Sequence, residues 1–346
     1  LITDNRIWQS LWLMVSRGKY LEVESMMETP LVVVRADDPF TVINRLQTPE
    51  FLQVLQYLHK WRRDGILDPN LLALSDNEGS RGKEMMMAKI QCMAKVTEVS
   101  VLAEGIVSMW LSASGVAKSA KPGQFISLYC DNSDTLLPRP ISLCEVNQKD
   151  GLLRIVFRIV GAGTKEFAAK EKDDEIRILG PLGNGFPLDA CEKDKTAVLI
   201  GGGIGIPPLL ELAKQLPCKT TVVVGYRNAD TFLREELEEA ADRVVIASDD
   251  GSIGIKGTVL DAMEAEGVTG DCIFSCGPTP MLRGVKQWAF EKQIPAWISM
   301  EEKMACGIGA CLACVCESKE IDSHSKVKNK RICKDGPVFL STDIEL

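Results

Sequence analysis

Near its C-terminus the chain places Cys306-Gly-Ile-Gly-Ala-Cys311-Leu-Ala-Cys314 and then a distant Cys333. No other feature limits the fold as strongly. A loop this rich in glycine has few apolar side chains to pack, so its sulfurs must converge on something they bind. The rest of the composition agrees. The 346 residues hold twelve cysteines but only two histidines, His59 and His324. That makes a His-rich metal centre or a Ser-His-Asp hydrolase a poor fit and sulfur the expected ligand.

The cysteines are unevenly spread: none falls in residues 1–84, seven lie from Cys92 to Cys276, and five crowd into 306–333. A secreted disulfide scaffold would be short and cysteine-dense throughout, so reduced thiols and a cytoplasmic setting are expected. A formal net charge of −8 gives no electrostatic reason to expect nucleic-acid binding. No run of eighteen apolar residues suggests a membrane span, and the N-terminus lacks a signal-peptide layout.

C-x4-C-x2-C with a remote fourth cysteine is the spacing of plant-type [2Fe–2S] loops. Small residues at Gly307, Gly309 and Ala310 let backbone amides turn toward the sulfurs. Candidate ligands are therefore Cys306, Cys311, Cys314 and Cys333. Cys316 is a rival for Cys314, although the C-x2-C spacing favours Cys314. A four-cysteine zinc ribbon fits less well, because it shows two short-spaced pairs whereas Cys306 and Cys333 stand alone.

Upstream, residues 1–84 read as a separate, mainly helical extension. Thr48-Pro49 opens an amphipathic pattern through Phe51, Leu52, Leu55, Leu58 and Trp61, with Gly65 as a stop. A polar, glycine-rich linker follows at 75–83. The chain begins with Leu1, and a natural start is conceivable at Met85–Met87. The segment is expected to be either a fragment joined by fusion or a genuine extension of unknown role. Its motifs weakly resemble a piece of an extracellular solute-binding protein.

From residue 87 to about 190, short β-like runs separated by turns (124–130, 152–160, 174–179) predict a small antiparallel barrel. From 194 to 300 strands alternate with helices: strands at 196–200, 220–225 and 243–247, helices at 208–216 and 231–241. That alternation predicts a doubly wound parallel sheet. Gly201-Gly202-Gly203-Ile-Gly205 ends its first strand at a helix start, a place where backbone amides meet phosphate. The strict dinucleotide fingerprint is absent, since Pro208 holds the third glycine position and Arg227 stands where an acid is usual. Cys276-Gly277-Pro278 ends a later strand at the same edge. In the barrel, Arg139-Pro140-Ile141-Ser142 sets a guanidinium and a hydroxyl close together on an extended segment, and arginine suits a pyrophosphate.

Taken in order, Arg139-Pro140-Ile141-Ser142, Gly161-Ala-Gly163-Thr164, Gly201-Gly-Gly-Ile-Gly205, Cys276-Gly-Pro278 and the cysteine loop resemble the ferredoxin–NADP reductase superfamily. Within it, residues 87–346 resemble the electron-transfer subunits of type B dihydroorotate dehydrogenases. The resemblance implies an FAD-binding barrel over 87–190, an NAD(H) domain over 194–300 and a [2Fe–2S] domain over 301–346. It implies FAD contacts at Arg139, Pro140, Ile141, Ser142, Gly163 and Thr164. It further implies that Gly201, Gly202, Gly203, Gly205, Cys276, Gly277 and Pro278 line the nicotinamide site. No residue here need touch orotate. The implied partner is an FMN-containing catalytic subunit, in a heterotetramer serving pyrimidine biosynthesis. Arg227 leaves NADH against NADPH open, and the family favours NADH. Two rivals stand beside this reading: a related reductase subunit serving ferredoxin, sulfide or hydrogenase partners, and a non-enzymatic redox-sensing or zinc-binding module.

Overall fold

Alternating residues decide the central architecture. Along Ile90–Ala103 (β4), Ile106–Ser112 (β5), Phe125–Tyr129 (β6), Arg139–Asn147 (β7), Leu152–Arg158 (β8) and Glu175–Leu182 (β9), β-branched and aromatic residues recur with period two. The computed structural model closes these six strands into a barrel in the order β4-β5-β8-β7-β6-β9. Val96, Met109, Leu111, Ile126, Leu128, Ile155, Phe157 and Ile178 fill its interior. The short helix Ala162–Ala168 (α2, after Ser114–Ala117, α1) adds Phe167 to that core, edge-to-face with Phe157.

The structure describes residues 89–131, 137–322 and 327–346 in full, and 20–22, 32–35 and 38–44 as backbone. It separates the chain into two compact units, 1–86 and 87–346. Within the first, Tyr20–Glu22 (β1), Val32–Arg35 (β2) and Asp38–Asn44 (β3) form a three-stranded antiparallel sheet. The sequence had suggested a mainly helical segment there. Its expected helix at 48–65 and linker at 75–83 lie outside the described residues.

After the barrel the period changes and strands alternate with helices. Thr196–Gly202 (β10), Lys219–Tyr226 (β11), Arg243–Ser248 (β12), Ile255–Lys256 (β13), Cys272–Cys276 (β14) and Ala296–Ser299 (β15) run parallel in the order β13-β12-β11-β10-β14-β15. Helices Pro207–Gln215 (α3), Arg234–Ala240 (α4), Val259–Ala265 (α5) and Thr279–Lys292 (α6) accompany them. The strand order reverses between β10 and β14, the crevice where open α/β sheets bind ligands.

Helix α3 is buried around most of its circumference because it lies between the sheet and the barrel. Its Glu211 accepts a hydrogen bond from the Val146 amide of β7 at 2.9 Å. Nearby, Arg154 of β8 reaches Glu145 at 2.5 Å, and Lys214 of α3 also holds Glu145. Burial pushes the Glu145 carboxyl up, but the Lys214 and Arg154 bonds outweigh it and hold the group below its ordinary range. Barrel and sheet are thus joined by a buried polar seam as well as by apolar packing.

The C-terminal segment adds a hairpin of Val315–Glu317 (β16) and Asn329–Arg331 (β17), a turn of helix Ile332–Asp335 (α7) and Val338–Leu340 (β18). The sequence pattern left this tail without periodicity. The structure pairs β18 antiparallel with β15, so the tail completes the edge of the parallel sheet.

Candidate functional site

A cavity of about 820 Å³ opens at the switch point between β10 and β14. Gly202, Gly203, Gly205, Gly277 and Pro278 line it as expected, while Arg158 and Glu104 close it from the barrel side. Gly201 and Cys276 do not line it. They face each other across the β10–β14 register, one residue beneath the cavity floor. A Cβ on Gly201 would meet Leu209 of α3 at 2.8 Å, so that glycine serves helix–sheet packing. Cys276 is fully buried, and burial pushes its thiol up. Gly205 is the tightest point: a Cβ there would lie 2.3 Å from the Cys276 carbonyl oxygen. Only glycine lets the β10 turn cross β14 this closely.

Sequence reasoning missed charged groups on the cavity wall, Arg158 and Glu301 among them. Arg158 ends β8, and Glu301 follows β15. Desolvation pushes the Glu301 carboxyl up. Neither residue lies in a local motif; they meet the glycine turns only once barrel and sheet are assembled.

The barrel motifs gather at one end. Arg139 reaches over the first turn of α2: a Cβ on Gly163 would lie 2.9 Å from its Nε. Guanidinium and helix start form one cradle, suited to a pyrophosphate by charge and by amides that have no intrahelical acceptor. Thr164 Oγ1 accepts hydrogen bonds from the amides of Val160 (2.9 Å) and Gly161 (3.1 Å). Its hydroxyl therefore holds the helix start in shape. Ser142 is not beside the Arg139 guanidinium, because the pleat turns the two to opposite faces. Ser142 pairs with Phe125, and Pro140 with Ser127, while Arg139 and Ile141 pair with the core residues Leu128 and Ile126. Phe125 packs with Cys314, Ile332, Cys333 and Phe339. The Ser142 face of the barrel thus looks toward the cysteine loop.

That loop directs its amides at sulfur. Gly309 N–H donates to Cys333 Sγ at 3.1 Å, Cys311 N–H to Cys306 Sγ at 3.3 Å and Ile308 N–H to Cys306 Sγ at 3.5 Å. Gly309 adopts φ +83°, which aims its amide inward at little cost. Arg331, 5% exposed, clamps the loop from below: it donates to the Gly309 carbonyl at 3.2 Å and pairs with Asp335 at 3.2 Å and Asp322 at 3.6 Å. The charged span between Cys314 and Cys333 leaves and returns through the β16–β17 hairpin, with Lys319, Glu320 and Lys328 exposed.

The four cysteines fall into two couples. Cys306 and Cys311 share a side-chain hydrogen bond, as do Cys314 and Cys333. The Cys333 thiol and nearby amides hold Cys314 below its ordinary range, and Cys333, the donor, is pushed up. Among the described residues, no three His, Cys, Asp or Glu side chains converge on one metal position. Two couples suit two irons bridged by sulfide better than a single tetrahedral ion. Cys316 is separate: its thiol bonds the Lys330 carbonyl at 3.7 Å, and burial pushes it up to about 11.

A six-stranded barrel joined to a seven-stranded, largely parallel sheet, with a cleft between them and a sulfur loop alongside, defines a flavin- and nicotinamide-dependent oxidoreductase class. Comparison with known proteins narrows it. Residues 301–345 match the model of the iron-sulfur cluster binding domain of dihydroorotate dehydrogenase B. The chain is 41% identical over 255 residues to the dihydroorotate dehydrogenase B (NAD(+)) electron transfer subunit of Geobacillus kaustophilus, covering 72% of this chain and 97% of that one. It is 39% identical to the corresponding subunit of Fusobacterium nucleatum, covering 72% and 97%. Among solved structures, an NADH-dependent reduced ferredoxin-NADP oxidoreductase studied for flavin-based electron bifurcation is 29% identical. It aligns with a TM-score of 0.66 over 73% of this chain and 90% of that chain. The chain belongs to the family of dihydroorotate dehydrogenase B electron transfer subunits.

Proposed function

We propose that this chain passes electrons between NAD(H) and an FMN-containing dihydroorotate dehydrogenase catalytic subunit, in pyrimidine biosynthesis. The observation that supports this reading is that one compact unit, 87–346, carries the switch-point cavity, the Arg139–Gly163 cradle and the cysteine loop together. We assign residues 87–190 to FAD, 194–300 to NAD(H) and 301–346 to a [2Fe–2S] cluster. When bound, FAD supplies the step from two-electron to one-electron chemistry that a nicotinamide and an iron–sulfur cluster require between them.

The chain's own residues hold and orient these groups. Arg139 and the α2 start hold the FAD pyrophosphate, with Gly163 admitting it closely. Ser142 faces the flavin ring from the side nearest the loop. The turns Gly202–Gly205 and Gly277–Pro278 seat NAD(H), and the Glu301 carboxyl stands at the cavity wall. Cys306, Cys311, Cys314 and Cys333 hold the irons. The twelve cysteines form no disulfide, which supports a reducing, cytoplasmic setting. Among the described residues no helix is long and apolar enough to cross a membrane.

The test is an anaerobic visible spectrum before and after NADH, followed by assembly with an FMN subunit. Flavin and cluster bands that bleach with NADH, and NAD+ reduction by dihydroorotate in the assembled heterotetramer, are the expected results. A flavin-free protein holding zinc would refute the reading. Turnover with ferredoxin but none with dihydroorotate would refute the choice of partner.

A further inference from the structure

We propose that Ser127 couples the barrel to the cluster: its hydroxyl donates a hydrogen bond to a cluster sulfur and makes the cluster easier to reduce. This deepens the cluster reading above and rests on it. Ser127 is 1% exposed, and among the described residues its Oγ is the buried side-chain polar atom that finds no hydrogen-bond partner. A hydroxyl buried without an acceptor is costly, and native proteins keep few of them.

Its position indicates which acceptor it serves. The β6 pleat turns Ser127 to the outer face of the barrel, opposite Pro140 and on the same side as Phe125 and Ser142. There it meets Gly307, the residue after Cys306: a Cβ on Gly307 would lie 3.0 Å from Ser127 Oγ. The hydroxyl thus points into the seam between barrel and cysteine loop. Lys89, just before β4, stands on the same seam and donates from Nζ to the Ile308 carbonyl at 3.4 Å. The backbone donors to sulfur described above all belong to the loop itself. Ser127 adds a donor from the barrel.

The physical consequence is a shift in potential. Reduction adds negative charge to the cluster, so a donor to its sulfur favours the reduced state more than the oxidised one. A hydrogen bond to a charged acceptor corresponds to roughly a tenfold change in such an equilibrium. For a one-electron centre that is about 59 mV.

The experiment is an EPR-monitored redox titration of the full chain, loaded anaerobically with FAD and cluster. It compares the wild type with Ser127→Ala and Ser127→Thr. Ser127→Ala is expected to bind the same iron, with cluster reduction about tenfold less favourable, an altered EPR signature and an unmoved flavin couple. Ser127→Thr, which keeps the hydroxyl, is expected to stay near wild type. An unchanged cluster midpoint in iron-loaded Ser127→Ala overturns the inference, as does a shift confined to the flavin. Loss of iron from Ser127→Ala would show a structural role and overturn it as well. Wild-type protein that holds no iron would instead refute the ligand set, and this inference with it.

Discussion

Cys314 and Cys276 are almost equally hidden from water, at 2% and 0% exposure, yet their thiols are driven in opposite directions. In the loop, the Cys333 thiol and backbone amides donate to Cys314 and hold it below its ordinary range, while Cys333, as the donor, is pushed up. In the sheet, burial dominates. It raises Cys276 of β14, as it does Cys144 in barrel strand β7, and pushes Cys272 of β14 up to about 11; Cys191, in the segment before β10, is likewise pushed up to about 12. Burial alone therefore does not decide what a cysteine becomes. Strand amides are engaged in ladders, whereas a glycine-rich loop leaves its amides free to face sulfur.

The strongest way to break this contrast is to exchange ligand for bystander. Cys314→Ser and Cys333→Ser are expected to lose the cluster, and Cys316→Ser and Cys276→Ser to keep it, as read by iron per chain and the visible spectrum. Full iron in Cys314→Ser would return Cys316 to candidacy. A second, nearly as large effect is chemical. After iron is removed by chelation at about neutral pH, iodoacetamide should label Cys314 far faster than Cys191 or Cys276, because only the thiolate reacts. Mass spectrometry of the digested protein reads the sites, and equal labelling would remove the distinction.

A smaller effect tests the crossing under the cavity. Gly205→Ala forces a Cβ against the Cys276 carbonyl and should cost about 1–3 kcal/mol, as overpacking does. A lower Tm and weaker NADH binding are expected, while iron content should not change. The smallest effect concerns the seam between barrel and sheet. Glu145→Gln should cost about 1 kcal/mol. Because the folded-state pKa of Glu145 is depressed, its contribution is present above the unfolded value of about 4.3. It is lost as pH falls through the folded value. Denaturant titrations at pH 7 and near pH 3 check this: the gap between wild type and variant should close at the lower pH.

What the sequence made legible was local. Period-two runs located β6, β8 and β9, and the strand–helix alternation located β10 through β12 to within two residues at most ends. The four candidate ligand cysteines stood out by their spacing. Features that depend on distant segments meeting were hidden. Arg158 and Glu301 reach one cavity from opposite parts of the chain, and no window of residues contains both. Gly201 and Cys276 sit in the right motifs, but strand pairing places them under the floor. Arg139 and Ser142 are three residues apart, and the pleat still separates their side chains. Ser127 lies in an unremarkable strand until the loop at Gly307 covers it.

The pairing of β18 with β15 has a mechanical consequence. The segment that returns from Cys333 is hydrogen-bonded into the same sheet whose β10–β14 switch point opens the cavity. The cavity and the tail that follows Cys333 are thus braced by one hydrogen-bonded sheet. Electron passage through this subunit should be insensitive to solvent viscosity, unlike a carrier that must diffuse from dock to dock.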